Sequence, residues 1–314
     1  MSRFRVVVSD QVFPSVEVER RILAEIDAEL HVADGTPAGV VTVGRNADAI
    51  LNTYLPFDEA LIRQLARCRI IARYGIGVDN LDLAAATRAG ITVTNVPDYS
   101  VEEVAAHTLA LILALVRKLP QADARVRAGG WGLDGLRPIT RVSHLSFGLV
   151  GFGRIGQRVA RALDAMGATI RVHDPFLTPR DNLPPLVDLD ELVVASDVIS
   201  IHAPLTPDTR GLFDAQRIAA MRPRSILINT SRGGLVVLDA VLDALRRGHL
   251  GGAGLDVFEK EPVEADRLAG VPNLLVTPHI AYYSEESLAE SQRKAATQVV
   301  KVLTGVPPDY PVKS

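Results

Sequence analysis

The stretch GLVGFGRIGQRVARALDAMGATIRVHDPF, residues 148–176, decides how the rest of the chain can fold. An apolar run at 145–150 is short enough to be a buried strand. Three glycines follow it in G-x-G-x-x-G spacing: Gly151, Gly153 and Gly156. A helical pattern comes next, then a second apolar segment at 169–172, and finally Asp174. Strand, glycine turn, helix, strand and acid form the context in which this spacing indicates a dinucleotide-binding unit.

Each glycine has its own physical role in that prediction. Gly151 allows the tight turn, Gly153 lets the backbone approach a pyrophosphate, and Gly156 lets the helix pack closely on the strand. The helix N-terminus offers N–H groups and the positive end of its dipole to the phosphates. The alternative is a plain βαβ unit with glycine turns, but Asp174, at the end of the second strand, favours a bound dinucleotide.

Asp174 also predicts which dinucleotide is bound. A carboxylate at this strand end accepts a hydrogen bond from the ribose hydroxyl of NAD, and an adjacent arginine would instead receive the 2′-phosphate of NADP. Pro175 and Phe176 follow directly, with no arginine beside the acid. We therefore expect NAD, although Arg171 and Arg180 lie nearby in the sequence.

Composition limits the class of protein. The length of 314 residues predicts about two domains. The composition, 47% hydrophobic and 23% charged, is that of an ordinary globular protein. A net charge of −3 without a basic run gives no reason to expect nucleic acid. The most apolar helical segment, 104–116, is too short for a membrane span. The single cysteine, Cys68, fits a reducing compartment, so we expect a cytoplasmic protein. No metal site is predicted.

The N-terminal residues 1–97 show strands alternating with helices, which predicts a small parallel α/β unit. Strands are predicted at 4–8, 40–43, 70–72 and 91–94, and helices at 16–30 and 59–66, with a loop around 52–56. Ser100 is expected to cap a long helix that ends near Lys118, before Pro120.

The pattern becomes irregular at 121–144 and then returns to strand–helix alternation. Strands are predicted at 145–150, 169–172, 198–201, 225–228, 252–256 and 274–276, and a final helix at 284–303. The fold prediction is therefore α/β with two doubly wound domains. Residues 98–284 form a Rossmann NAD-binding domain, and residues 1–97 with 285–314 form a smaller, flavodoxin-like substrate (catalytic) domain.

Reactive side chains follow three successive strands of the predicted nucleotide-binding sheet. Arg232 lies in NTSRGG, Glu261 lies in DVFEKEP with Glu259 as its rival, and His279 lies in TPHIA. Each has a plain structural explanation when taken alone. Together they suit a 2-oxo acid, because a guanidinium can hold a carboxylate and polarise a ketone while a histidine held by a glutamate transfers a proton.

Seven ordered stretches resemble the D-isomer-specific 2-hydroxyacid dehydrogenases over essentially the whole chain. They are YGIGVDNLD (74–82), NVPDYSVEEVAAHTLALIL (95–113), GLVGFGRIG (148–156), HAPLTPDTRGLF (202–213), ILINTSRGGLVV (226–237), GAGLDVFEKEP (252–262) and TPHIAYYSEES (277–287). The patterns NVP-x-x-SVEE and PH-x-A-x-YSEES, in the second and the last of these stretches, look most similar to the C-terminal-binding-protein-like branch of that family.

The resemblance implies roles for the matching positions. Arg232 would bind substrate, Glu261 would partner the histidine because the family places its acid directly before the proline, and His279 would be the general acid/base. Nucleotide contacts would come from Gly151, Gly153, Arg154, Ile155, Gly156, Asp174, Thr108, His202, Pro204, Thr209, Thr230 and Asp256. Substrate contacts would come from Arg73, Gly75, Ile76, Gly77 and Tyr282, the last standing where the branch carries a tryptophan.

The resemblance implies an NAD-dependent D-2-hydroxyacid dehydrogenase that acts reversibly on a 2-oxo or 2-hydroxy acid. It also implies a homodimer formed through residues around 120–146 and the nucleotide-binding domain. Two alternatives stay open, a phosphoglycerate dehydrogenase-like enzyme and an NAD(H)-sensing, corepressor-like binding protein. The identity of the acid is not predicted; Tyr54, Arg73, Tyr74, Tyr99 and Tyr282 are candidates to line its pocket.

Overall fold

A computed structural model of the chain describes residues 3–181 and 183–312. The chain divides into two compact units, one comprising Met1–Ser100 with Ser284–Ser314 and the other Val101–Tyr283. Each unit has one parallel β-sheet with helices between the strands, which confirms the predicted α/β fold class. Among the described residues, no helix is both long enough and apolar enough to cross a membrane.

The first unit contains a five-stranded sheet in the order β2-β1-β3-β4-β5. Its strands are β1 (Phe4–Val8), β2 (Ala28–Val32), β3 (Ala49–Asn52), β4 (Ile70–Arg73) and β5 (Thr92–Thr94). Its helices are α1 (Glu17–Leu23), α2 (Pro37–Gly44), α3 (Glu59–Ile62), α4 (Leu83–Arg88) and the C-terminal α12 (Glu285–Leu303). This order is the flavodoxin-like arrangement, in which the strand order reverses between β1 and β3.

The second unit contains a six-stranded sheet in the order β11-β10-β9-β8-β6-β7. Its strands are β6 (Ser146–Val150), β7 (Thr169–His173), β8 (Val198–Ile201), β9 (Ile226–Asn229), β10 (Gly252–Leu255) and β11 (Leu274–Val276). Its helices are α5 (Val101–Val116), α6 (Leu119–Arg127), α7 (Arg154–Ala165), α8 (Leu189–Ala195), α9 (Ala215–Ala220), α10 (Leu238–Arg246) and α11 (Ala265–Leu268). Strand β6 pairs with β7 on one side and with β8 on the other, so the strand order reverses at β6, which is where such sheets bind ligands.

Apolar side chains cover both faces of the second sheet. On one face, α5 and α7 contribute buried residues such as Ile112 and Leu163. On the other face, α8, α9 and α10 contribute residues such as Leu192 and Val241. The strands between them are therefore buried on both sides, as their continuous apolar sequences require.

The predicted helix at 16–30 is wrong. Helix α1 ends at Leu23, a short 3-10 turn follows at Ala24–Ile26, and Asp27 takes the left-handed conformation at φ +54°. Strand β2 then runs parallel to β1 in register from Phe4 opposite Ala28. Pairing along the sheet edge overrides the helix propensity of Ala28, Glu29 and Leu30.

The predicted strand at 40–43 is also wrong, because those residues lie in α2. Thr36 caps that helix by accepting a hydrogen bond from the Gly39 amide, and Pro37 occupies the first turn. The strand of this region is instead β3, which extends into the segment predicted as a loop. A capping threonine followed by proline outweighs the strand propensity of the four β-branched residues at 40–43.

Two further predictions about the link between the units are corrected. Ser100 does not cap α5, since its buried hydroxyl makes no hydrogen bond to any described residue. Helix α5 ends at Val116, close to the predicted end near Lys118, but Pro120 lies in the first turn of a further helix, α6, where its missing N–H has no cost. The segment 121–144 is therefore helical in its first third.

Candidate active site

The glycine turn after β6 has the geometry predicted for it. Gly151 has φ +92°, and a Cβ there would lie 2.7 Å from the carbonyl carbon and oxygen of His202. A Cβ on Gly156 would lie 2.6 Å from the main-chain oxygen of Gly151. At Gly153, by contrast, a Cβ would meet nothing within 4 Å. Packing explains the first and third glycines, and the second borders open space into which a ligand can approach.

Helix α7 begins beside that open space and presents its N-terminus to it. Gly153 is the N-cap residue and supplies no side-chain hydrogen bond to the first turn. The Arg154 side chain is exposed, and Ile155 is half-buried against the core. A 12-residue helix with an open N-terminus and an arginine at its first position suits a pyrophosphate.

Asp174 lies directly after β7 and faces the glycine turn. Its Oδ2 accepts a hydrogen bond from the Phe152 amide at 2.9 Å, and its Oδ1 accepts one from the Phe176 amide at 3.0 Å. Arg171 bonds instead to the Ser146 hydroxyl at 2.7 Å, at the opposite end of β6. Arg171 is therefore not placed to receive a phosphate beside Asp174.

The loop after β8 packs against the glycine turn. His202 Nε2 lies 3.0 Å from the Ser200 hydroxyl, while its Nδ1 is enclosed without a partner among the described residues. Burial lowers the pKa of His202 to about 4, so its ring is neutral at physiological pH. Thr209 donates to the Pro204 carbonyl at 2.7 Å and so closes the turn that follows.

Thr108 and Thr230 form a buried pair beneath the carboxyl end of the sheet. Their hydroxyl oxygens lie 2.8 Å apart, and the Thr108 hydroxyl also donates to the Val104 carbonyl at 2.7 Å. Thr108 is completely buried and Thr230 nearly so. The pair joins α5 to the end of β9, and contact with a nucleotide stays a prediction for both.

Hydrogen bonds within the loop after β9 hold Arg232 in place. The Asn229 side chain donates to the Arg232 carbonyl at 2.8 Å, and the Arg232 guanidinium donates to the Ser231 carbonyl at 2.7 Å. A Cβ on Gly233 would lie 1.9 Å from the carbonyl carbon of Phe258. Only glycine therefore lets this loop touch the loop that carries Glu261.

Glu261 and His279 form a direct hydrogen bond. The ring Nδ1 of His279 lies 2.7 Å from Oε2 of Glu261, whose Oε1 accepts the Phe258 amide at 2.9 Å. Burial raises the pKa of Glu261, but the bonds from His279 and Phe258 and the charges of His279 and Arg232 outweigh it and lower the pKa below 4.5. Glu259, the rival, has an exposed side chain. Because Nδ1 faces the carboxylate, Nε2 is the nitrogen that can exchange a proton with a ligand.

Asp256 fixes the turn that carries His279. Its buried carboxylate accepts hydrogen bonds from the Ile280 and Ala281 amides, each at 2.9 Å. His279 has φ +55°, a left-handed conformation that few residues with a side chain adopt. The Tyr282 ring stands edge-on to the imidazole with centroids 6.2 Å apart. Asp256 thus has a structural task that the sequence did not indicate.

The first unit gathers its own set of predicted residues after β4. Arg73 is 8% exposed, and its Nε donates to the Asn80 side chain at 3.0 Å. A Cβ on Gly75 would lie 1.8 Å from Nη1 of Arg73, so the glycine makes room for the guanidinium. The Ile76 carbonyl accepts the Asn95 side chain at 2.7 Å, and Gly77 follows in the same loop.

The tyrosines considered as pocket lining differ in their surroundings. Tyr74 is 1% exposed, and its hydroxyl donates to the completely buried Glu19 at 2.8 Å. Burial and the Glu19 carboxylate raise the pKa of Tyr74 well above 10.0. Tyr74 is therefore a core residue that does not line a pocket, whereas Tyr54 is exposed and Tyr99 is half-buried.

No role was predicted from the sequence for three residues that contact these sites: Asn80, Gly233 and His107. Asn80 and Gly233 both lie within stretches that carried the resemblance, at positions with no assigned role. His107 is, with Thr108, one of the two polar residues in the apolar part of α5 at 104–116, and this position was the sequence signal for it. Among the residues the structure describes, no group of three or more acids, histidines or cysteines could hold a metal ion.

Comparison with protein families matches residues 109–281 to "D-isomer specific 2-hydroxyacid dehydrogenase, NAD binding domain". The chain is 35% identical over 308 residues to D-3-phosphoglycerate dehydrogenase of Synechocystis, with 96% of this chain and 55% of that protein covered. It therefore spans about half the length of that relative. It is also 35% identical over 280 residues to glycerate dehydrogenase of Methylorubrum extorquens, with 87% and 88% covered.

A solved structure shares the whole fold. The D-lactate dehydrogenase from Aquifex aeolicus, complexed with NAD and lactic acid, superposes with a TM-score of 0.86 at 32% identity. The superposition covers 96% of each chain. The family match and these relatives agree with the predicted family and with NAD as cofactor, while placement in the C-terminal-binding-protein-like branch stays a prediction.

Proposed function

Because the chain belongs to the D-isomer-specific 2-hydroxyacid dehydrogenase family, we propose that it transfers hydride reversibly between NADH and a 2-oxo acid. The observation that carries this proposal is the His279–Glu261 hydrogen bond of 2.7 Å. It lies at the carboxyl ends of the strands of the unit that matches the NAD-binding domain. A protein that only binds nucleotide has no need of a histidine held by a carboxylate.

In this proposal His279 is the general acid/base. Glu261 fixes the ring through Nδ1, so that Nε2 donates a proton to the carbonyl oxygen in reduction and removes it in oxidation. Arg232, in the loop packed against that of Glu261, stabilises the developing negative charge on the oxygen. NAD supplies the hydride chemistry, and the residues of this chain bind, orient and move the proton.

The residues around the glycine turn fit an NAD molecule. The open space at Gly153 and the N-terminus of α7 would hold the pyrophosphate, with Arg154 beside it. Asp174 would accept a hydrogen bond from the adenosine ribose and repel a 2′-phosphate. Of the two arginines near Asp174 in the sequence, Arg171 and Arg180, the first bonds to Ser146 and is not placed to bind a 2′-phosphate, which supports NAD over NADP.

For the substrate carboxylate we propose Arg73 with the amides of Gly75, Ile76 and Gly77 as ligands. The contact between the Arg73 guanidinium and Gly75 orders the arginine and the loop together. Tyr282, edge-on to His279, would contact the substrate near the reacting carbon. The second unit is then the NAD-binding domain, and the first is the substrate domain.

The test is a screen of NADH oxidation with purified protein over pyruvate, glyoxylate, hydroxypyruvate, 3-phosphohydroxypyruvate and bulkier 2-oxo acids. We expect turnover of at least one acid and a product of D configuration by chiral chromatography. A preference for the phosphorylated acid would favour the phosphoglycerate dehydrogenase-like alternative. Tight NADH binding without turnover of any acid would contradict the proposal and favour the nucleotide-sensing alternative.

We also propose a homodimer formed through α6 and the loop that follows it. Large apolar side chains are exposed along this segment, among them Trp131 at 82%, with Leu119, Val126 and Leu133. Several large exposed apolar side chains within one short segment are typical of an interface, and a second copy of the chain would bury them. Light scattering of wild type should give the mass of a dimer, and Val126→Asp should give a monomer. A monomeric wild type would contradict this proposal.

We place the enzyme in the cytoplasm. Its single cysteine, Cys68, is buried and unpaired with any other thiol, and burial raises its pKa to about 12. The chain therefore relies on no internal disulfide, as is usual in reducing compartments. Recovery of the native protein in the cytosolic fraction of its own cells tests this, and recovery outside the cytosol would contradict it.

A further inference from the structure

The turn 277–281 is built around the Asp256 carboxylate. Asp256 is 1% exposed, and its Oδ1 accepts both the Thr277 hydroxyl at 2.6 Å and the Ile280 amide at 2.9 Å. Its Oδ2 accepts the Ala281 amide at 2.9 Å, and its main-chain oxygen accepts the His279 amide at 2.8 Å. One residue therefore determines the path of the chain on both sides of His279.

His279 needs this support because of its backbone conformation. At φ +55° it occupies a region that is sparsely populated for residues with a side chain. Such conformations persist only where the surrounding structure determines them, and they concentrate at functional sites. The direction of the imidazole therefore depends on how firmly Asp256 is itself held.

His107, on helix α5, reaches this cluster from the other side. Its Nε2 lies 3.0 Å from the Thr277 hydroxyl and 3.8 Å from Oδ1 of Asp256. The Thr277 hydroxyl has one proton, and it donates that proton to Asp256, since a carboxylate only accepts. The hydroxyl must therefore accept from His107, which carries a proton on Nε2. The two hydrogen bonds therefore point the same way: His107 donates to Thr277, and Thr277 donates to Asp256.

We propose that His107 is a positioning residue for the reaction. It acts through Thr277 and Asp256 to hold His279 at the angle that its hydrogen bond to Glu261 requires. This inference rests on the proposed function, in which His279 exchanges the proton. No contact of His107 with substrate or cofactor is needed, because its effect passes through the hydroxyl of Thr277.

Two matched pairs of variants test the proposal by steady-state kinetics. Thr277→Val removes the hydroxyl at constant shape, whereas Thr277→Ser keeps it. His107→Leu removes the donor, whereas His107→Gln keeps an N–H. We expect Thr277→Val and His107→Leu each to lower kcat about tenfold, the size of one hydrogen bond, with KM for NADH changed by less than about twofold. The Ser and Gln variants should stay within about threefold of wild type.

The double variant distinguishes a linked chain of bonds from two separate effects. Because both residues act through the same link, Thr277→Val with His107→Leu should lower kcat no further than either change alone. Losses that multiply would overturn the proposal. An equal loss of kcat in Thr277→Ser and Thr277→Val would also overturn it, because the hydroxyl would then not matter.

A measurement without turnover separates this proposal from the proposed function. In protein labelled at histidine, the NMR signals of the His279 ring are identified by their absence in His279→Ala. They should shift in Thr277→Val and His107→Leu and stay in place in Thr277→Ser. Unchanged His279 signals in Thr277→Val would overturn the positioning role. Wild type that reduces no acid would contradict the proposed function, and the NMR shifts would still decide the role of His107.

Discussion

Glu261→Gln is the substitution whose effect the structure defines best. Glutamine keeps the shape of the side chain and an oxygen that can face His279 Nδ1, but it removes the negative charge. The bond lost is a charge-assisted one of 2.7 Å, and bonds to charged groups contribute about 1.5–3 kcal/mol. The Phe258 amide, which donates to Oε1 of Glu261 at 2.9 Å in the wild type, also loses its ionised acceptor in the variant.

The size of the kinetic effect follows from that energy. If the carboxylate stabilises the imidazolium that forms as the proton moves, its loss raises the barrier by about 1.5–3 kcal/mol, which lowers kcat about 10- to 150-fold. Because Glu261 lies in a different loop from the glycine turn, the Kd for NADH should change by less than about threefold. Glu259→Gln is the matched control, since Glu259 is exposed two residues away.

The assay is NADH oxidation on the best acid from the screen, with NADH binding measured by fluorescence on the same preparations. We expect a large loss of kcat for Glu261→Gln and a change within about twofold for Glu259→Gln. Wild-type kcat in Glu261→Gln, or an equal loss in Glu259→Gln, would refute the assignment of Glu261 as the partner of His279.

The lowered pKa of Glu261 adds a pH dependence with a defined sign. Because its pKa is lower in the folded protein than its ordinary value of 4.5, its ionised form stabilises the fold above about pH 4.5. That contribution is lost as the pH falls through the lowered pKa. The difference in unfolding free energy between wild type and Glu261→Gln should therefore narrow below about pH 4.5. A difference that widens there would contradict the sign.

Three further predictions concern other parts of the molecule. Asp174→Ala should raise KM for NADH about tenfold and reduce the preference for NADH over NADPH, measured as the ratio of kcat/KM values; an unchanged ratio would contradict the role of Asp174. Gly233→Ala should lower kcat about 100-fold, because its new Cβ would lie 1.9 Å from main-chain atoms that must move. A Cβ in Gly234→Ala would meet only side chains, Leu205 at 3.0 Å and Arg210 at 3.3 Å, so kcat of this folded control should fall much less. Tyr74→Phe should lower the free energy of unfolding in urea by about 1.5–3 kcal/mol, because the completely buried Glu19 loses a donor; an unchanged midpoint would contradict this.

The fold of the second unit could be predicted because its sequence signals agree at every level. The strand, the glycine spacing and the acid at 174 are local, and each has one physical explanation. The first unit was harder. Residues 28–30 favour a helix by composition, and only pairing with β1, a contact between distant segments, makes them a strand. At 36–37 the capping signal was present in the sequence and outweighs the β-branched run that follows it.

In the candidate site, too, the sequence located individual residues but not the contacts between residues that are far apart in the chain. Arg232, Glu261 and His279 could be located from their positions after strands and from the resemblance. The resemblance favoured Glu261 over Glu259 because of the proline that follows it, and the 2.7 Å contact with the imidazole agrees with that choice. The contact between His107 and Thr277 joins residues far apart in the chain, and no spacing rule connects them.

The most direct test of the account is the kcat of His279→Ala relative to wild type, with NADH binding measured on the same protein. If His279 donates the proton, kcat should fall by about 100-fold or more while the Kd for NADH stays within about threefold. Turnover at the wild-type rate in His279→Ala would contradict the account.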